Sequence, residues 1–335
     1  MNRVAGTYLL CTLSALGAYD ACAQERQTVP ATQACVEFNQ RVVVLVRNGQ
    51  VTAADAAIRD ALASGADRAQ TYCAGFVLNN MAALVSVSGR FAQAEAFAER
   101  SFAVLEKVLP ADDQLLLRPL QILASTRFEQ RKLTKARQAF ERMQKIRAET
   151  PQDTALVHGM GAALLQAEGK LGEAEAEDLA ALYAWEKAGL GETADAASIL
   201  TALGSLYIDE HRLDDAARVL ARTLDVLNHA PDVIPMDRIR LFLLRGVLRA
   251  KQGEWRESEE DFSLALSMAD QEAKVNGAVL RPLLTSYAIV LRKNHRRHEA
   301  RAIESRAAAL GRDYIAEDVV DVNGLLSERD GVKKK

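Results

Sequence analysis

A small residue returns at nearly constant intervals along most of this chain: Ala54, Ala94, Ala136, Ala174, Ala216, Ser258 and Ala300 are separated by 40, 42, 38, 42, 42 and 42 residues. These positions share the pattern G-x-[hydrophobic]-x-x-A-x-x-x-[apolar]-x-x-[small], met more closely in some copies than in others. Self-similarity at a fixed period of about 20 to 50 residues marks a stacked array, whose core is a row of nearest-neighbour interfaces and not one globule. The expected fold is therefore all-α, a superhelical solenoid of about seven helix-turn-helix repeats. Composition agrees, since the 335 residues are 49% hydrophobic but 5% aromatic, with 7 prolines, as expected for helices packed closely on Ala and Leu.

The fifth copy shows the helix pair most plainly. Leu200, Leu203, Gly204 and Tyr207, then Leu213, Ala216, Leu220 and Thr223, recur at offsets of three and four, which places them on one stripe of each of two helices. Gly49, Gly89, Gly169 and Gly253 fall just ahead of second helices, where a chain reversal favours a residue tolerant of positive φ. Thr150-Pro151 and Ala230-Pro231 interrupt helical patterns and fit connectors between repeats.

The N-terminus points to export. Arg3 precedes an uncharged stretch from Val4 to Tyr19, and Ala21-Cys22-Ala23 sits just before Gln24, which together describe a signal peptide over residues 1–23. The stretch is short for a membrane span, which needs about 20 apolar residues. Cleavage takes away Arg3 and Asp20 and leaves the net charge at -3, with none of the basic excess of a general nucleic-acid binder. It also removes Cys11 and Cys22, leaving Cys35 and Cys73. Their separation is close to one repeat, which sets them at similar heights on neighbouring first helices. They are a candidate disulfide for an oxidising compartment, the alternative being two small buried apolar residues in tight seams.

The repeats resemble the tetratricopeptide family. The stretch Leu78 to Lys107, at this longer period, is similar to the variety found in kinesin light chains and their bacterial relatives, and Ser286 to Leu310 resembles the charged closing repeat of such arrays. The resemblance covers about Thr32 to Leu310, so the expected organisation is a signal peptide (1–23), the repeat array (24–310) and a C-terminal cap or tail (311–335). It implies a right-handed superhelix whose inner surface, lined by first helices, holds an extended peptide or a partner helix. By register the residues proposed to face that groove are Asn79, Asn80, Arg118, Gln121, Ser125, Thr201, Ser205, Arg240, Thr285 and Ser286. Carboxamides donate and accept, so they suit the backbone of an extended ligand whatever its sequence. The Lys-Asn clamp by which some members hold a C-terminal carboxylate is missing as a set: the matching positions carry Asn39 and Val43 in the first repeat and Arg118 and Ile122 in the third.

No catalytic or metal constellation stands out. His158, His211, His229, His295 and His298 lie outside any H-E-x-x-H or C-x-x-C pattern, and the last two fall in a strongly basic turn. The run Glu173 to Asp178 reads as an exposed acidic helix face, and Trp255 as a core residue by register. From Arg312 onward the repeat pattern stops, and Val319, Val320, Val322, Leu325 and Leu326 stand among acids. The leading expectation is an exported, periplasmic or extracellular scaffold that binds a protein or peptide, without catalysis or cofactor. Rival expectations are a carbohydrate or small-ligand accessory to an enzyme and a homo-oligomeric envelope protein.

Overall fold

The computed structural model describes residues 33–47, 51–63, 68–87, 89–230, 233–271 and 277–310. The expected signal peptide and the tail after Leu310 lie outside them. Among the described residues there are 14 α-helices and no strand, which in sequence form seven pairs. These are α1 (Gln33–Arg47) with α2 (Val51–Ala63), α3 (Arg68–Val87) with α4 (Phe91–Leu105), and α5 (Leu117–Glu129) with α6 (Leu133–Met143). There follow α7 (Pro151–Glu168) with α8 (Leu171–Lys187), α9 (Ala194–Asp209) with α10 (Leu213–His229), α11 (Pro235–Gln252) with α12 (Trp255–Gln271), and α13 (Gly277–Lys293) with α14 (Arg297–Ala309). The chain divides within α7 into two compact units, one of residues up to Leu164 and one from Leu165 on.

Each of the seven recurring small residues is 0% exposed. A second small position lies twelve residues earlier, on the first helix of every pair but the first, which has Val42 there: Ala82, Ala124, Ala162, Gly204, Gly246 and Ala288 are all buried. Their smallness lets a large side chain of the second helix fill the seam. A Cβ on Gly246 would meet the Phe262 ring at 2.9 Å, and Ser258 Oγ donates to Gly246 O at 2.7 Å, so helix α12 lies almost on the backbone of α11. Such close packing is what makes interiors intolerant of an added methyl group.

Every turn between the paired helices described in full closes the same way. Five residues before each small residue the backbone takes positive φ, at Gly89 (73), Arg131 (59), Gly169 (81), His211 (61), Gly253 (85) and His295 (64). The amide of that residue and the one after it bond back to the preceding helix in one repeated pattern, as in His211 N to Ile208 O at 3.2 Å and Arg212 N to Tyr207 O at 2.9 Å. The expectation from glycine thus extends to an arginine and two histidines, residues that occupy the left-handed region at some cost. His211 and His295 are turn residues.

Between repeats the second helices are joined by charge. One residue after the small position, Glu95, Glu175 and Glu259 accept from Lys132, Arg212 and Arg296, four residues before the next small position. A second rung joins Glu106 to Arg142 at 3.0 Å, Glu186 to Arg222 at 2.6 Å, and Asp270 to Arg306. Both rungs fall between the same repeats, second to third, fourth to fifth and sixth to seventh. The first repeat is tied to the second by the Arg100–Asp55 pair and by the disulfide described below.

Glu95 is the most enclosed acid on this ladder. Burial by itself would raise its carboxyl, but Lys132 Nζ at 2.7 Å, Arg127 Nε at 2.9 Å and Gln130 Nε2 at 2.9 Å win and hold it at about 2. A carboxyl depressed on folding stabilises the native state above its unfolded value near 4.5, and that contribution disappears as pH falls toward 2. We expect Glu95→Gln to destabilise the protein by ~2–3 kcal/mol at pH 7. In urea titrations the gap between variant and parent should close between pH 4.5 and pH 2, where the parent loses its advantage.

Two expectations are corrected. The run Glu173 to Asp178 is not one exposed face: Asp178 is 1% exposed, and Glu175 is taken up by Arg212 and the Tyr207 hydroxyl. An α-helix turns by about 100° per residue, so a contiguous run necessarily spans both core and solvent sides. Trp255 is half-buried and not a core residue, with Lys293 Nζ 5.3 Å from its ring centroid.

Candidate peptide-binding face

The proposed groove residues all lie on first helices, and the structure sorts them by how their polar atoms are used. In the unit ending at Leu164, Asn39, Asn79 and Gln121 occupy the same register on α1, α3 and α5, fifteen residues before Ala54, Ala94 and Ala136. Three successive repeats therefore carry a carboxamide at one position. Asn80 Nδ2 donates to Asn39 Oδ1 at 2.9 Å, linking α3 to α1. Asn79 is 6% exposed, and its Oδ1 is a buried acceptor without a donor. A buried amide oxygen left unmet costs about 1–3 kcal/mol, so this atom is a standing demand for an N–H or O–H. Gln121 is 8% exposed and Arg118 half-buried, the latter without an ion-pair partner among the described residues. Ser125 returns its hydroxyl proton to Gln121 O at 2.5 Å, so it offers a ligand only lone pairs.

In the unit beginning at Leu165 the same register carries Thr201, Leu243 and Thr285. Thr201 Oγ1 donates to Ala197 O at 2.7 Å and Thr285 Oγ1 to Arg281 O at 2.9 Å, so both are committed to their own helices. Ser205 and Ser286 are 2% and 1% exposed, with hydroxyls that meet no partner. Arg240 is half-buried beside Asp237, whose carboxyl burial raises; the Arg240 charge works against that rise and Asp195 adds to it. Asp237 also accepts from Ile234 N at 3.2 Å at the start of α11. Asp153, Asp195 and Asp237 stand 42 residues apart in the first turns of α7, α9 and α11, a recurrence visible in the sequence but not among the residues singled out from it. Carboxylates there meet the unpaired amides and the positive end of the helix.

The structure pairs Cys35 with Cys73, at a Cα–Cα distance of 5.7 Å, and so fastens α1 to α3 beside the Asn39–Asn80 contact. No group of three or more His, Cys, Asp or Glu side chains able to hold a metal occurs among the described residues. No helix there is long and apolar enough to cross a membrane.

No family model and no curated protein matches the sequence. Solved structures do. The apo form of RapI aligns with a TM-score of 0.60 and 12% identity, covering 83% of this chain and 100% of its own. A Rap protein complexed with Competence and Sporulation Factor aligns at 0.59 with 11% identity, covering 83% and 76% respectively. BtubC (BKLC) from P. vanneervenii aligns at 0.49 with 18% identity, covering 67% and 89%. At these identities the likeness is one of fold, and this chain has the all-α, tetratricopeptide-like helical-repeat architecture.

Proposed function

We propose that this protein is an exported, non-catalytic scaffold of the long, kinesin-light-chain-like repeat type, which holds an extended peptide segment of a partner protein across α1, α3 and α5. The carrying observation is the carboxamide row Asn39, Asn79 and Gln121 with the unmet acceptor Asn79 Oδ1. Packed helices lie about 8–10 Å apart and an extended chain rises ~3.3 Å per residue, so a peptide crossing these helices meets one carboxamide about every third residue. Main-chain groups satisfy the carboxamides whatever the side chains, and Arg118 adds preference for an acidic neighbour. The signal-like N-terminus and the Cys35–Cys73 pair support an oxidising, periplasmic or extracellular location. The Rap protein complexed with Competence and Sporulation Factor supports a binding role for an array of this fold.

Peptide display on the full chain tests this reading. Selected peptides should lose about tenfold or more in affinity with Asn79→Leu, Gln121→Leu, the loss of two hydrogen bonds. Asn79→Leu alone should leave folding unharmed or improve it, since it removes an unmet polar atom. Unchanged affinity in the double variant would place the ligand elsewhere.

A further inference from the structure

Among the large apolar side chains that stand exposed in the described residues, Leu179 (45% exposed) and Tyr183 (65%) are neighbours, one turn apart on α8. They belong to a longer stripe. Ala176 is exposed and Ala180 half-buried, so Ala176, Leu179, Ala180 and Tyr183, at offsets of three, four and seven, share one solvent-facing side of the helix. The same four positions read Gln138, Glu141, Arg142 and Lys145 on α6, and Arg218, Ala221, Arg222 and Asp225 on α10. At the Leu179 position α4 carries Glu99 and α12 Ser263, so the apolar stripe is particular to α8. An acid and a base close it at its two ends, Glu173 in the first turn and Lys187 in the last, both exposed. Neither has an ion-pair partner among the described residues, whereas Glu175 and Glu186, on the flank toward α10, are taken up by Arg212 and Arg222.

We propose that two copies of this chain pair through α8, antiparallel, about a two-fold axis passing between Leu179 and Ala180. A two-fold interface has to be its own complement, with each contact made twice and the roles exchanged. The stripe meets that condition when it is set against itself in reverse. Leu179 then faces Ala180 of the second copy and Tyr183 faces Ala176 of the second copy, so each large side chain lies over a small one and the axes approach at the close end of the usual ~8–10 Å. Glu173 and Lys187 of opposite copies come within one residue of each other at both ends of the pair, an axial offset of about 1.5 Å that a lysine side chain spans. The stripe's own reverse thus supplies the partner that each of these two charges lacks. A parallel pairing would instead set Tyr183 on Tyr183, Glu173 on Glu173 and Lys187 on Lys187. One pair of helices makes a small interface, below about 1,200 Å² in total, so the dimer is expected to form in the micromolar range. Helix α8 carries none of the residues of the proposed peptide face, and the pairing stands independently of that reading.

Sedimentation velocity of the full chain, from about 1 to 200 μM, tests this pairing. The parent should show a concentration-dependent equilibrium of monomer and dimer. Tyr183→Glu should raise its dissociation constant about tenfold or more, and Glu173→Lys or Lys187→Glu alone about fivefold or more, because each single reversal sets like charges at both ends. Mixing the two reversed chains, or placing both substitutions in one chain, should restore the parent's affinity, since each then returns opposite charges to both ends. All three side chains are exposed, so the unfolding midpoints should stay with the parent's and report that a lost dimer is not a lost fold. A parent that stays monomeric throughout overturns the proposal. So does a dimer that Tyr183→Glu leaves intact, one indifferent to the single reversals, or one that the paired reversals do not restore.

Discussion

Asp261→Ala should lower stability by about 3 kcal/mol and uncouple the sixth repeat, a large loss for a single side chain at one seam. Asp261 is 2% exposed and receives a guanidinium fork from Arg245, Nε at 3.0 Å to each oxygen, and a further bond from Arg249 Nη1 at 2.8 Å. Removing the acid leaves two cations one turn apart on α11, both facing the seam with α12 and without their carboxylate. Their side chains are 22% and 28% exposed, so water relieves part of the penalty and the estimate stays at the low end of the ~3–5 kcal/mol for breaking a buried pair. The array contains its own control. In the fifth repeat the positions equivalent to Arg245 and Asp261 are Leu203 and Val219, two apolar residues that line one groove. Arg245→Leu, Asp261→Val should therefore recover most of the loss, whereas Asp261→Val or Arg245→Leu alone should not. Urea unfolding of the four proteins closes the cycle, and additive losses would show that the two residues do not act as a pair.

That contrast also explains what the sequence disclosed and what it withheld. The seam of small residues announced the helix pairs because a methyl-sized position cannot drift: each of the seven is 0% exposed. The turn residue was visible only where it is glycine, since positive φ at Arg131, His211 and His295 leaves no mark in the residue type and is recognised by register alone. The two-rung ladder was written in the chain as acids one and twelve residues after the small position, with bases four before and six after the next one. Reading it requires setting alternate repeats side by side, because the partners stand 36 or 37 residues apart. The groove candidates show the opposite limit. Register put Asn79, Gln121, Ser205 and Ser286 on first helices, but how deep each one lies, and whether a hydroxyl turns back to its own carbonyl as in Thr201, depends on neighbouring side chains of other repeats. Leu179 and Tyr183 were legible as departures from the repeat only after the positions of Glu99 and Ser263 were known to face outward.

Replacing both cysteines, Cys35→Ser with Cys73→Ser, should remove about 4 kcal/mol, and the loss should be local. The bridge spans 38 residues of sequence, and closing a loop of that length in the unfolded chain accounts for that magnitude in the chain-entropy model. In an array where each repeat touches only its neighbours, the missing constraint falls on α1 and α2, whose other described ties to the second repeat include the Asn80–Asn39 bond and the Arg100–Asp55 pair. Hydrogen exchange should show α1 and α2 losing protection while α5 and α6 keep theirs, and the same pattern should appear in the parent on adding a reductant. Loss of protection spread evenly through α6 would mean that the first repeat nucleates the unit and does not merely extend it. The consequence for binding follows from Asn39, the only one of the three carboxamides on α1. A loosened α1 withdraws it from the row, so a peptide held by Asn39, Asn79 and Gln121 should bind several-fold more weakly to the reduced protein, and one held without Asn39 should bind both forms alike.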